Sequence, residues 1–162
     1  MVNFAENVLG IKQFEYKSKL STDKIRSRLL DLDQQPKRFQ YNFTHVQIPD
    51  VTAANFRVKL FALRRYRWMT LTMVYLDGLV STGGDRKTVF MGKVKYGEAY
   101  YFGLIGSLIF GLMVAFGGRD PAYPIFGTIF AAILWLLVVC IARQQHVFLT
   151  NKVRAAMSPL VT

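Results

Sequence analysis

Residues 99–142 decide the fold: AYYFGLIGSLIFGLMVAF (99–116), GGRDP (117–121) and AYPIFGTIFAAILWLLVVCIA (122–142). Neither long run carries a charge, and Arg119 and Asp120 sit together in the turn between them. At 1.5 Å of rise per residue the runs reach about 27 and 32 Å as helices, enough to cross a hydrocarbon layer of about 30 Å. The reading is a two-helix transmembrane hairpin over 99–142, with spans of about 99–117 and 122–142. A soluble domain (1–98) precedes it and a short basic tail (143–162) follows.

Charge sets the expected orientation. The chain of 162 residues carries a formal net charge of +11. Residues 1–98 hold 17 Lys and Arg against 9 Asp and Glu, and the tail adds Arg143, Lys152 and Arg154 with no acid. Basic flanks stay on the cytoplasmic side of a membrane, so both termini are expected in the cytoplasm, or in the matrix of an organelle. The start, Met-Val-Asn-Phe-Ala-Glu-Asn, lacks the basic and apolar regions of a cleavable signal, leaving the first span as the insertion signal. The expected home is a bacterial cytoplasmic membrane or an organelle inner membrane.

The soluble part reads as α+β. Gln13–Leu20 alternates apolar and polar residues, the period of a half-buried strand. Ser21 or Thr22 suits a helix N-cap ahead of Ile25, Leu29 and Leu32, an apolar face at i, i+4 and i+7, with Pro36 closing the helix. Further strands are predicted around Phe39–Phe43, Phe56–Leu60, Trp68–Leu76 and Thr88–Tyr96, with a turn at Ser81–Asp85. The expectation is one helix packed on a mostly antiparallel sheet of about five strands, joined to the hairpin by very little linker.

In the first span Gly103, Ser107, Gly111 and Ala115 recur every four residues, and Gly127 and Ala131 offer a matching stripe in the second. Small side chains let helix backbones approach closely. Packing of the hairpin on itself is expected first, since a short turn makes the two helices neighbours, and docking of a partner helix second.

The densest basic cluster is Leu63-Arg64-Arg65-Tyr66-Arg67-Trp68. Lys59, Arg64, Arg65, Arg67 and Trp68 are therefore candidate lipid- or partner-binding residues, with anionic headgroups the nearest polyanion for a domain held at a bilayer. Nucleic acid is not an expected partner. His146, one turn past the second span, is the single candidate haem or chlorin ligand, although a lone histidine more commonly serves the negative end of a helix. No other cofactor and no metal is expected. His45 reads as a strand residue with no carboxylate spaced beside it. Cys140 lies inside an apolar run and has no second cysteine to pair with. Ser81–Thr88 ends in Lys87-Thr88 but has Arg86 where a phosphate-binding loop needs glycine.

No catalytic motif is present, and the apolar runs hold Ser107 and Thr128 but none of the ionisable groups used in proton or ion paths. The expected function is a non-enzymatic accessory or structural subunit of a larger integral membrane complex, an energy-transducing assembly being one home, with integral membrane subunits and anionic lipids as partners. The alternatives are a membrane-tethered binding or regulatory module and, after it, a homo-oligomeric channel.

Overall fold

The computed structural model describes residues 12–33, 42–49, 55–66, 69–83, 87–118 and 122–158. In chain order the elements are β1 (Lys12–Ser18), α1 (Thr22–Leu30), β2 (Asn42–Gln47), β3 (Phe56–Tyr66), β4 (Met69–Thr82), β5 (Thr88–Tyr96), α2 (Glu98–Phe116) and α3 (Tyr123–Met157). Among the described residues the strands form one five-stranded sheet in the order β1-β5-β4-β3-β2, every pair antiparallel. The α+β class and the strand at Thr88–Tyr96 match the sequence reading. Pro36, Phe39 and the turn residues Gly84–Arg86 lie outside the described residues.

β4 runs longer than its predicted Trp68–Leu76, and Ser81 and Thr82 belong to the strand rather than the turn. Gly78, which a propensity reading takes as a breaker, is opposite Gly92 in the ladder. Cβ atoms at these two positions would run into the rings of Phe90 and Phe14. Those rings stack with centroids 5.7 Å apart. The glycines are thus where aromatic rings lie down on the sheet.

One sheet face is covered. Ile25 and Leu29 of α1 join Phe56, Val58, Leu60, Val74, Leu76, Phe90 and Val94 in the core. Ser21 caps α1, its hydroxyl accepting from the Lys24 N–H at 3.4 Å. The helix ends at Leu30, so Leu32 packs on the core from the turn beyond it.

Besides the one helix expected on the sheet, the residues after Ala142, expected as a short basic tail, also pack on it. α3 continues unbroken for 15 residues past Ala142. Gln145, Leu149, Val153 and Met157 recur every four residues along it and are all buried against the sheet. Val153 therefore belongs to the core. The end of α3 is tied down from both neighbours. The Ser18 hydroxyl donates to the Met157 carbonyl at 2.7 Å, and Arg28 donates to the Ala156 carbonyl at 3.3 Å and the Ser158 carbonyl at 2.5 Å. These donors satisfy carbonyls that a helix end leaves without partners, and a cation there suits the negative end of the helix dipole.

α2 and the first part of α3 are both long and apolar enough to cross a membrane. They pack on each other, and most of their large apolar side chains remain exposed, including Phe102 (71%), Met113 (66%), Phe116 (81%) and Phe126 (64%). A helix buried in a soluble core does not look like this.

Candidate functional site: a helical hairpin clamped to an open sheet

The small-residue stripe is occupied within the chain. A Cβ at Gly111 would strike Ala131 and approach the Gly127 carbonyl to 3.0 Å. One at Gly127 would lie 2.5 Å from the Gly111 carbonyl and 2.6 Å from the Ala115 nitrogen. A Cβ at Gly103 would come to 3.0 Å from the Val138 side chain across the same seam. Ser107 is buried there and donates to the Leu104 carbonyl at 2.7 Å. Phe110 and Phe130 close one edge, with centroids 5.5 Å apart.

The hairpin meets the sheet at a β-bulge. The β3–β4 register passes from Ala62↔Val74 to Arg64↔Leu71, so Thr72 and Met73 together oppose Leu63. A bulge leaves backbone groups outside the ladder. Here Gln145 of α3, 3% exposed, fills the gap: its side-chain carbonyl accepts from the Met73 N–H at 2.9 Å and the Val74 N–H at 3.2 Å. The Gly97 N–H, just ahead of α2, donates to the carbonyl of the same Met73 at 2.8 Å. A Cβ on Gly97 would come within 2.8 Å of the Thr72 carbonyl, so only glycine sits here without displacement. Both helices are therefore fastened to one residue of β4. Tyr96 stacks on Tyr100 at 4.2 Å across the same junction, and burial pushes the Tyr96 phenol pKa up.

No described element packs on the second sheet face, called open below. Across it run His45, Phe61, Tyr75 and Lys95 in one cross-strand row, with ring centroids 6.1 and 5.7 Å apart and the Lys95 ammonium 6.0 Å from the Tyr75 centroid. The neighbouring row is Gln47, Lys59, Asp77, Lys93 and Gln13. A shallow groove of about 550 Å³ lies over this face, floored by Leu79 and Met91 and edged by Arg57, Asp77 and Lys93. Lys95 donates to Asp77 at 2.9 Å, and that hydrogen bond and charge raise its pKa above the ordinary 10.5. A raised lysine pKa stabilises the fold fully below the unfolded value and ceases to do so as pH climbs through the folded value. Lys95→Met is therefore expected to lower stability by less than about 1 kcal/mol at neutral pH, because the pair is partly exposed. Denaturant titrations of both proteins should show that difference closing once the pH exceeds the raised lysine pKa. A gap that persists there would mean that the methylene stem, not the charge, matters.

The predicted basic cluster divides. Lys59 lies on the open face opposite Asp77, whereas Arg64 sits near the end of β3 with its guanidinium 3.5 Å from the Gln144 side-chain carbonyl. Arg65 pairs with Thr70 in the ladder, and Arg67 and Trp68 lie outside the described residues. His45 lies in β2 as expected, and Asp33, from the turn after α1, lies 3.1 Å from its Nδ1 and also accepts from the Val46 N–H at 3.3 Å. His146 is half-buried on α3 beside Gln145, and its carbonyl accepts from Thr150. Among the described residues no group of three His, Cys, Asp or Glu is placed to hold a metal ion.

Sequence reasoning missed Gln145, Arg57, Lys93 and Lys95. The spacing of Gln145 with Leu149, Val153 and Met157 was the available signal for the first, hidden by its amide among charged neighbours. No protein-family model matches the chain, and no curated protein is detectably similar to it.

Proposed function

We propose that this chain is a two-pass membrane protein and a non-enzymatic structural or accessory subunit of a larger integral membrane complex. The observation that carries the reading is the exposed apolar surface of the hairpin. Phe102, Phe116, Ile125 and Phe126 point outward after the small-residue seam has been used up internally. Soluble monomers do not expose continuous apolar surface on this scale, and lipid or partner helices are what would cover it. The packing of the end of α3 on the sheet supports a topology with both flanks of the hairpin on one side of the membrane, and their charge favours the cytoplasmic or matrix side.

The clamp at Met73 also fits a subunit, since it holds the domain in one pose relative to the hairpin. Mild-detergent extraction, native gel separation and mass spectrometry of the band are expected to show fixed stoichiometry with other integral membrane proteins. Migration as a free monomer would sink the subunit reading. The second reading, a tethered binding module, is favoured by the cations Arg57, Lys59 and Lys93 on the open face. It expects reversible, salt-sensitive capture of an acidic partner by the full chain.

A further inference from the structure

We infer that the open face of the sheet is a docking surface for an extended acidic segment of a partner protein, laid along β4 between two cationic flanks. This deepens the second reading above, on whose cations it rests, and names the partner's chemistry. Side chains alternate between the two faces of a strand, so three neighbouring strands set the layout here. β3 contributes Arg57 and Lys59, β4 contributes Asp77 and Leu79, and β5 contributes Met91 and Lys93. Lys59 and Lys93 stand on either side of Asp77, and Arg57 and Met91 on either side of Leu79.

The charges on this face do not balance. Its two carboxylates are taken, Asp77 by Lys95 at 2.9 Å and Glu15 by Lys17 at 3.2 Å. Arg57, Lys59 and Lys93 are exposed, and none has an ion-pair partner among the described residues. Leu79 and Met91 lie side by side among them, 39% and 48% exposed. An antiparallel sheet that turns one face to water carries polar residues there, and this aliphatic pair departs from that pattern. A segment with acids and an apolar side chain would satisfy both features at once.

Spacing favours an extended chain. Arg57 and Lys59 are two residues apart on β3, about 7 Å, which is the repeat of side chains on one face of a strand. Lys59 and Lys93 are two strand spacings apart, about 10 Å, leaving width for one chain.

Other occupants fit less well. α3 leaves the Gln145 clamp at Met73 and ends beside Ser18, whose partner Thr88 pairs with Thr82, so β4 runs away from the hairpin together with α3. Leu79 is roughly 20 Å along β4 from the clamp, and a bilayer holding the hairpin would reach only the near edge of the face. The Asp77 and Glu15 carboxylates oppose an unbroken phosphate chain, whereas a peptide can set its acids beside the cations alone. A second copy would bring a chain of net charge +11 to a face that is itself cationic.

The test measures fluorescence anisotropy of labelled probes with the detergent-solubilised full chain. The peptide Ser-Asp-Ser-Asp-Ser-Leu-Ser-Phe-Ser carries its acids and apolar groups on one face when extended, and its isomer Ser-Asp-Leu-Asp-Phe-Ser-Ser-Ser-Ser splits them between two. The expected result is binding of the first peptide that weakens with salt, and about tenfold weaker binding of the isomer. Arg57→Gln, Lys59→Gln and Lys93→Gln together should weaken the first peptide about tenfold, as should Leu79→Ser with Met91→Ser. Removing the same charge elsewhere, through Lys19→Gln, Lys24→Gln and Arg143→Gln, should change it less than about twofold. All these side chains are exposed, and circular dichroism checks that each variant folds.

A remote triple variant as defective as the first overturns the placement on this face. Displacement of the peptide by oligothymidylate or short-chain phosphatidylglycerol at lower concentration than by unlabelled peptide overturns the assignment of a protein segment. A dimer of the free chain that the open-face variants dissolve makes a second copy the occupant and overturns it too. Polyglutamate that binds as tightly as the first peptide, with Leu79→Ser and Met91→Ser silent, overturns the extended segment and leaves salt-sensitive capture standing. If no acidic probe binds, the inference and the second reading both fall.

Discussion

Replacing Gln145 with leucine is expected to loosen α3 from the sheet and to destabilise the domain by about 2–5 kcal/mol. A single side-chain carbonyl serves the Met73 and Val74 N–H groups, and both residues are buried, Met73 in the bulge and Val74 next to it. Leucine preserves the volume but removes the acceptor. Each buried donor left without a partner costs about 1–3 kcal/mol, since the unfolded chain would give it water. Thermal unfolding of the detergent-solubilised full chain, followed by circular dichroism, measures the loss. Gln145→Glu sharpens the result: it keeps the acceptor but buries a carboxylate, so its defect should be large at neutral pH. A variant within about 0.5 kcal/mol of the parent would mean that water replaces the amide, and the clamp would then be dispensable.

The second large effect is expected at Gly127. Gly127→Val would force atoms into the Gly111 carbonyl and the Ala115 nitrogen, which are backbone and have no rotamer to give. The helices must then separate along the seam, at a cost of about 3 kcal/mol or more. Gly106 supplies the control, because a Cβ there meets nothing within 4 Å. Gly106→Ala should be neutral, or stabilising by up to about 1 kcal/mol through helix propensity. Equal behaviour of the two variants would show that the seam does not depend on close backbone approach. Both are compared by the temperature at which the solubilised hairpin loses helicity.

Local patterns in the sequence carried much of the fold. The alternation of Gln13–Leu20 and of Thr88–Tyr96, the cap at Ser21 and the fourfold spacing of Gly103, Ser107, Gly111 and Ala115 each depend on near neighbours. What was not legible depends on contacts between distant residues. Gln145 looks like a polar tail residue until the bulge at Thr72 and Met73 places two donors before it, and a bulge has no signature in β4's run of Thr, Met and Val. Asp33 and His45 are 12 residues apart, so spacing alone could not join them. Lys59 looked close to Arg64 because they are near in sequence. A strand carries them apart by 3.3 Å per residue and places Lys59 on the open face.

The continuity of α3 has a consequence for how the protein is made. The sheet is translated first, yet Leu149, Val153 and Met157, which cover its apolar face, are translated only after both apolar runs. Until then the nascent sheet carries an uncovered greasy surface and a bulge with unmet donors. If the hairpin spans a membrane as proposed, a span inserted the wrong way round would deliver residues 143–157 to the far side of the bilayer, and the sheet would stay incomplete. Correct topology would then be a condition of folding, and a misinserted copy would present an unfinished domain to quality-control proteases.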